Sequence, residues 1–151
     1  AKIILIDIPL NLTTAYAYIK TNSDFECNLI CNLDELSKIR SNNLDATTFY
    51  FIPSKFIEEI PNLINQINLL YNHGSFSEMD KLTIDFYLDM LTNKISCEYV
   101  YEINSNVKEL NINHIEIASS EFSFPSHMEL ISKYPCLMNS RYVASLYKNT
   151  K

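Results

Sequence analysis

The sequence predicts an α/β fold: an opening antiparallel meander of three strands, then a mixed sheet with flanking helices. Three observations carry that prediction. Short β-branched and aromatic runs recur at Lys2–Asp7, Thr47–Ile52 and Ile95–Ile103. A stretch from Ser77 to Thr92 instead repeats its apolar residues every three or four positions, the period of a helix. Clusters of Asn, Ser and Asp at 22–24, 41–43 and 104–106 punctuate the chain as turns do.

Taken in order, Lys2–Asp7 reads as a buried strand and Leu10-Asn11-Leu12 as a turn. Thr13–Lys20 alternates, with Thr14, Tyr16 and Tyr18 on one side and Ala15, Ala17 and Ile19 on the other, which favours a strand. Phe25–Cys31 is the third strand, and short turns between the three predict the antiparallel arrangement. Asn32 or Asp34 caps a helix to Arg40, with Leu33, Leu36 and Ile39 inward, and Ser41-Asn42-Asn43 ends it. Thr47–Ile52 is a strand stopped by Pro53.

Lys55–Ile60 is ambiguous, since Phe56, Ile57 and Ile60 fit a helix that Pro61 would interrupt. Pro61 suits the first turn of a new helix through Tyr71, with Leu63, Ile64, Ile67 and Leu70 buried. Ser77 caps the next helix, on which Met79, Leu82, Phe86 and Met90 form the apolar stripe. Ile95–Ile103 alternates Cys97, Tyr99, Tyr101 and Ile103 against Ser96, Glu98, Val100 and Glu102, as a strand does. Leu110–Ala118 is strand-like, Pro125 opens a helix to Tyr134, and Arg141–Lys148 is a last short element of undetermined type.

Composition excludes several functions. The 151 residues include one glycine, Gly74, between His73 and Ser75, where a helix stop is expected. A phosphate loop or a dinucleotide fingerprint needs at least two glycines at fixed spacing, and a nucleophile elbow flanks its serine with two. A net charge of −6 argues against nucleic acid and against an anionic membrane surface, while leaving a basic protein patch acceptable. The apolar start meets an acid at Asp7, unlike a signal peptide, and no run approaches the roughly 18 apolar residues of a membrane span. A soluble cytoplasmic domain is expected, touching a membrane only through a segment outside this chain. Of the cysteines, Cys27 and Cys31 would lie about 13 Å apart along a strand, too far for a disulfide. Cys97 and Cys136 complete the set, and reduced thiols are expected throughout.

Candidate chemistry is sparse. His73, His114 and His127 each stand alone, outside metal-ligand spacing. Cys136 with His127 is the formal option for a cysteine hydrolase, without the sequence context of an activated nucleophile. Glu58-Glu59 and Asp34-Glu35 point in different directions on a helix and read as solvated surface. Asp7 ends the first strand, where a receiver domain carries acids. The matching run Phe51-Ile52-Pro53-Ser54, however, offers no phospho-acceptor. Glu78, Asp85 and Asp89 fall at helical spacing and read either as a solvated face or as an acidic docking face for a basic partner.

The segment order resembles a known family. Asp7-Ile8-Pro9-Leu10-Asn11-Leu12-Thr13-Thr14 looks like a decayed first phosphate loop of the actin-like ATPase fold, with Pro9 in the glycine's place. Leu33-Asp34-Glu35-Leu36, Thr48–Ser54, Glu59-Ile60-Pro61 and an acidic helix ending near Leu91 resemble the GspL-type platform proteins of type II secretion. Their type IV pilus counterparts, of the PilM and BfpC kind, fit the small size. The resemblance implies a single actin-like (ribonuclease H-like) domain over 1–151 and a strand at Lys55–Ile60. It also implies a non-enzymatic scaffold at the cytoplasmic face of the bacterial inner membrane, with no cofactor and no metal. Its partners would be the N-terminal region of the assembly ATPase and other platform proteins, with Glu78, Asp85 and Asp89 as contacts. The alternative is a degenerate receiver-like adaptor. The two differ at Thr13–Lys20, a strand in the platform and a helix in the receiver.

Overall fold

The computed structural model describes residues 2–37, 39, 47–111 and 114–151, with backbone only at 109–111, 114 and 115. The chain divides into two compact units, 1–64 and 65–151.

In the first unit, β1 (Lys2–Asp7), β2 (Glu26–Leu29) and β3 (Thr48–Pro53) form one sheet in the order β1-β3-β2. Both pairings are parallel, with Ile4 opposite Tyr50 and Cys27 opposite Phe49. A parallel pair cannot be joined by a tight hairpin, and the connection after β1 is the helix α1 (Pro9–Asn22). The antiparallel meander expected at residues 2–31 is therefore corrected, as are the turn at Leu10–Leu12 and the strand at Thr13–Lys20. The physical reason is a second period hidden in the alternation. Leu12 is buried and Ala15, Tyr16 and Ile19 are half-buried, at the spacing of one helix face. Tyr16 packs edge-on against Phe51 at 5.4 Å.

Pro9 opens α1, where its missing N–H costs nothing, and Asp7 Oδ1 accepts the Ile8 N–H at 2.6 Å and the Asn11 side-chain amide at 3.1 Å. Asp7 thus organises its own helix start. Two short 3₁₀ helices, Leu33–Ser37 and Ser54–Asn62, complete the unit. The second replaces the strand that the family resemblance implied at Lys55–Ile60; Phe56, Ile57 and Ile60 are its buried residues. The Asn32 cap is present, its side-chain oxygen accepting the Glu35 N–H at 3.2 Å. Leu36 and Ile39 are buried, while Leu33 is exposed; the helix end expected at 40–43 lies outside the described residues.

In the second unit, β4 (Gln66–His73), β5 (Ser96–Ser105), β8 (Met128–Pro135) and β9 (Tyr142–Asn149) form a mixed sheet in the order β4-β5-β9-β8. β4 runs parallel to β5, and β9 runs antiparallel to both β5 and β8. Short β6 (Glu109–Asn111) and β7 (His114–Glu116) pair separately, dividing the single strand expected over 110–118. The helix expected from Pro61 to Tyr71 is replaced by β4, and that from Pro125 to Tyr134 by β8. In the latter, Pro125 O accepts the Met128 N–H at 2.9 Å, so the proline makes a turn into a strand.

The helix α2 (Lys81–Asp89) joins β4 to β5 and ends in a π turn over Met90–Lys94. Its cap is Asp80, not Ser77: the carboxylate accepts the Thr83 N–H at 3.0 Å and the Thr83 hydroxyl at 2.7 Å. These bonds to the charged form hold the Asp80 carboxyl below its usual range.

One sheet face is covered. Leu70, Val100 and Tyr147 pack with Cys97, Met128 and Phe124, and Phe124 also joins the cluster of Phe76, Ile84, Leu88, Ile117 and Phe122. Phe124 stacks on Tyr147 with ring centroids 3.9 Å apart. On the other face the rings are open, with Leu69 and Tyr71 more than half exposed at 56% and 55%. No helix among the described residues is long and apolar enough to cross a membrane.

Candidate functional site at the carboxyl ends of β4 and β5

Open α/β sheets bind ligands beyond the carboxyl ends of their parallel strands, where strand order changes direction. In the second unit that place is the end of β4 and β5, since β5 has a parallel neighbour on one side and antiparallel β9 on the other. The segment from His73 to Glu78 lies there. Gly74 turns it with φ of +77°, a conformation that L side chains avoid, and its N–H bonds Ile103 O at 2.8 Å. Gly74 is thus a strand-end turn rather than the helix stop expected of it.

Below the turn is a buried polar network. Asn104 donates to Asn72 Oδ1 at 3.0 Å and to Glu102 Oε2 at 2.8 Å, and its Oδ1 accepts the Ser77 N–H at 3.2 Å. Asn72 Oδ1 also accepts the Phe76 N–H, and the Asn72 amide donates to Ser75 Oγ. Ser77 Oγ accepts the Ser105 N–H at 2.9 Å, while Ser119 Oγ donates to Glu102 Oε1 at 2.8 Å. Ser77, Glu102, Asn104 and Ser105 have no exposed surface. Partners of this kind supply what water would have given each group, so the turn is fixed rather than draped.

Above the network the surface is aromatic. His73 is exposed, 6.5 Å from the Tyr71 ring and 6.2 Å from the Tyr142 ring, which it meets edge-on at 82°. Tyr71 stacks on its register partner Tyr101 at 5.9 Å. Nearby, the Arg141 guanidinium pairs with the buried Glu116 carboxylate at 2.8 Å, and Arg141 O accepts the Asn106 N–H. Rings and an imidazole on a rigid turn can stack a planar group and donate one hydrogen bond to it.

The residues singled out in the sequence do not converge here. Glu78 lies on the 3₁₀ turn Phe76–Glu78 before α2, not on the helix. Asp85 accepts both bonds of a Lys81 ion pair at 3.0 Å, and Asp89 accepts from the Asn93 side chain. His127 is buried, its Nε2 3.2 Å from Thr92 O, so it has a structural partner. Cys136 is half-buried, all four thiols are free, and burial pushes the Cys97 thiol up. Among the described residues no group of three or more His, Cys, Asp or Glu is gathered as for a metal. In the first unit a hollow of about 450 Å³ is lined by Leu33, Asp34, Leu36, Ser37, Glu59 and Leu63.

Sequence reasoning missed Tyr71, Tyr142, Asn72 and Asn104. Asn104-Ser105 read as a turn, and Glu102 fell on the more polar side of its strand. Yet that side, with Val100 and Glu102, is the buried one.

No family model and no curated protein matches the sequence. Solved structures do. The chain superposes on the PH0226 protein of Pyrococcus horikoshii OT3 with a TM-score of 0.53 at 6% identity, covering 99% of this chain and 83% of that one. It also aligns with HI0767 of Haemophilus influenzae, named as a candidate methylase, with a TM-score of 0.47 at 10% identity, covering 99% and 87%. The first likeness is one of fold. The second is weaker than a shared fold, and the methylase name stays with HI0767.

These findings overturn the secretion-platform resemblance, and with it the actin-like meander and the docking of an assembly ATPase. The platform required a strand at Thr13–Lys20, and the segment is helical. The receiver alternative meets that requirement but fails on topology, because a receiver-like sheet places its first strand between the second and third, whereas here β3 lies between β1 and β2. What stands is an α/β fold with one parallel and one mixed sheet.

Proposed function

We propose that this chain binds a small planar ligand at the carboxyl ends of β4 and β5, stacking it against Tyr71 or Tyr142 and donating a hydrogen bond from His73. The observation that carries the reading is the His73 imidazole, exposed and flanked by two rings, on a turn pinned by Asn72 and Asn104. A rigid platform lowers the ordering cost of binding, which is where small ligands lose most of their gross interaction energy. The reading asks of His73 one donated hydrogen bond and of the two rings a stacking surface.

The ligand carries a flat ring and a carbonyl or carboxylate acceptor. Benzoate and benzamide are minimal probes. At about 0.3 kcal/mol per heavy atom, a nine-atom probe binds near 10 mM. Titration followed by NMR should shift the His73 imidazole and the Tyr71 and Tyr142 ring signals together and saturably. His73→Ala should weaken binding at least about threefold, the loss of one modest hydrogen bond. Shifts confined to other residues, or none at probe concentrations several times that estimate, would refute the reading.

A further inference from the structure

A sheet with one face on a core ordinarily turns polar residues toward water on the other. The mixed sheet of the second unit does the reverse. Leu69 and Tyr71 of β4, Tyr99, Tyr101 and Ile103 of β5 and Leu146 of β9 share its uncovered side, as their register partners show. None of the six is buried, whereas Val100, Glu102 and Ser145 on the opposite side all are. Tyr134 of β8, opposite Ala144, extends the same open side and is 64% exposed. A contiguous apolar patch of this kind marks a surface that meets another.

Charge and size say what the other surface is. Along the strands, the charges on the open side are Lys148 and Glu129, register partners of opposite sign, with the Lys148 ammonium 5.9 Å from the Tyr99 ring centroid. The whole chain carries a net charge of −6. Two copies therefore repel over much of their surface, and this balanced face is where they can meet without that repulsion; a strongly charged partner finds little there to pair with. The four strands have at least eight residues each. At about 4.8 Å between strands and about 3.3 Å per residue, they present roughly 500 Å². Two such faces together bury about 1,000 Å², the size that a specific interface must reach.

We propose that two copies of this chain pack these open faces together, sheet on sheet, as a two-fold dimer. A two-fold axis brings the same patch of each copy together, so the leucines and rings of one face fill the gaps between those of the other, and the assembly closes at two. The strand-end ligand site borders this face at Tyr71, but neither proposal rests on the other.

The test is sedimentation of the full chain, without any ligand probe, over a range of concentrations. An interface of this minimal size is expected to have a dissociation constant on the order of 10 μM. The average mass should climb from 17.5 kDa toward twice that value as the chain is concentrated past it. Leu146→Glu sets an unpaired carboxylate in the middle of the interface. It should weaken the dimer at least about thirtyfold, as the loss of a central anchor does, and leave the far-ultraviolet circular dichroism unchanged. If that variant fails to fold, Leu69→Lys serves in its place, since Leu69 is already more than half exposed, and the dimer should weaken likewise. A chain that stays monomeric well above that concentration overturns the proposal. So does a dimer that the folded variants leave intact, because its contact would then lie elsewhere on the molecule.

Discussion

Replacing Asn104 by alanine is the sharpest probe of how the His73 turn is held. Three hydrogen bonds end on that side chain. Two donate, to Asn72 Oδ1 and Glu102 Oε2, and one accepts the Ser77 N–H. Every one of these partners is at least half buried. Alanine leaves the Ser77 amide without an acceptor, which costs about 1 to 3 kcal/mol, and strips one donor from a buried carboxylate, worth about 1.5 to 3 kcal/mol. The remaining Asn72 acceptor keeps the Phe76 N–H, so its loss adds little. A total near 3 to 5 kcal/mol follows, a large share of the 5 to 15 kcal/mol that holds a typical protein folded. Urea unfolding reads it directly. The chain has ten tyrosines and no tryptophan, so tyrosine emission and far-ultraviolet circular dichroism are the probes. In the folded fraction of the variant, the His73 imidazole signals should broaden or move as the turn loosens. A loss below about 1 kcal/mol with unchanged His73 signals would refute the account, for it would mean that water replaces the side chain at no cost.

Gly74→Ala meets no steric wall, since the nearest atom to the new Cβ is Tyr142 Oη at 3.9 Å. The cost is therefore conformational, about 1 to 2 kcal/mol for a left-handed residue less about 0.4 to 1 kcal/mol gained from a stiffer unfolded chain, and a net loss near 1 kcal/mol in urea is expected. Tyr147 gives a pH signature. Its folded pKa, near 12, exceeds the ordinary 10.0, so the unfolded chain releases the proton first and stability falls as pH rises from about 10 to about 12. Alkaline unfolding of Tyr147→Phe should show a shallower fall across that window than the wild type.

The strands with a single reading were legible. Lys2–Asp7, Phe25–Cys31, Thr47–Ile52 and Ile95–Ile103 all contain strands in the structure; β-branched and aromatic residues dominate Lys2–Asp7 and Thr47–Ile52, and Ile95–Ile103 alternates with the period of a strand. The segments that failed each satisfy two periods. Thr13–Lys20 alternates in twos, yet Leu12, Ala15, Tyr16 and Ile19 also line one helix face, and the helix starts upstream of that stretch, at Pro9. Pro61 and Pro125 fit helix starts equally well as the turns that precede β4 and β8; neighbouring strands, distant in sequence, make the choice. The strand-end site was illegible for a different reason. Asn72 and Asn104 are 32 positions apart, and an asparagine that seals a buried network looks, in sequence, like one that makes a loop. The alternation over Ile95–Ile103 left open which side of the strand is buried, and Glu102 is buried because Asn104 and Ser119 supply its hydrogen bonds.

The β8 strand ends the mixed sheet on one side, and its irregularity has a consequence for life in a crowded solution. Its ladder with β9 slips between Leu130 and Ser132, leaving Ile131 without a partner, while Lys133 and Pro135 follow. A free sheet margin that carried Leu130, Ile131 and Tyr134 in a flat row would recruit strands from other molecules and seed fibres. A kink, a lysine and a proline each spoil that template. Straightening the kink by deleting Ile131 would remove a greasy side chain and still make the protein less soluble.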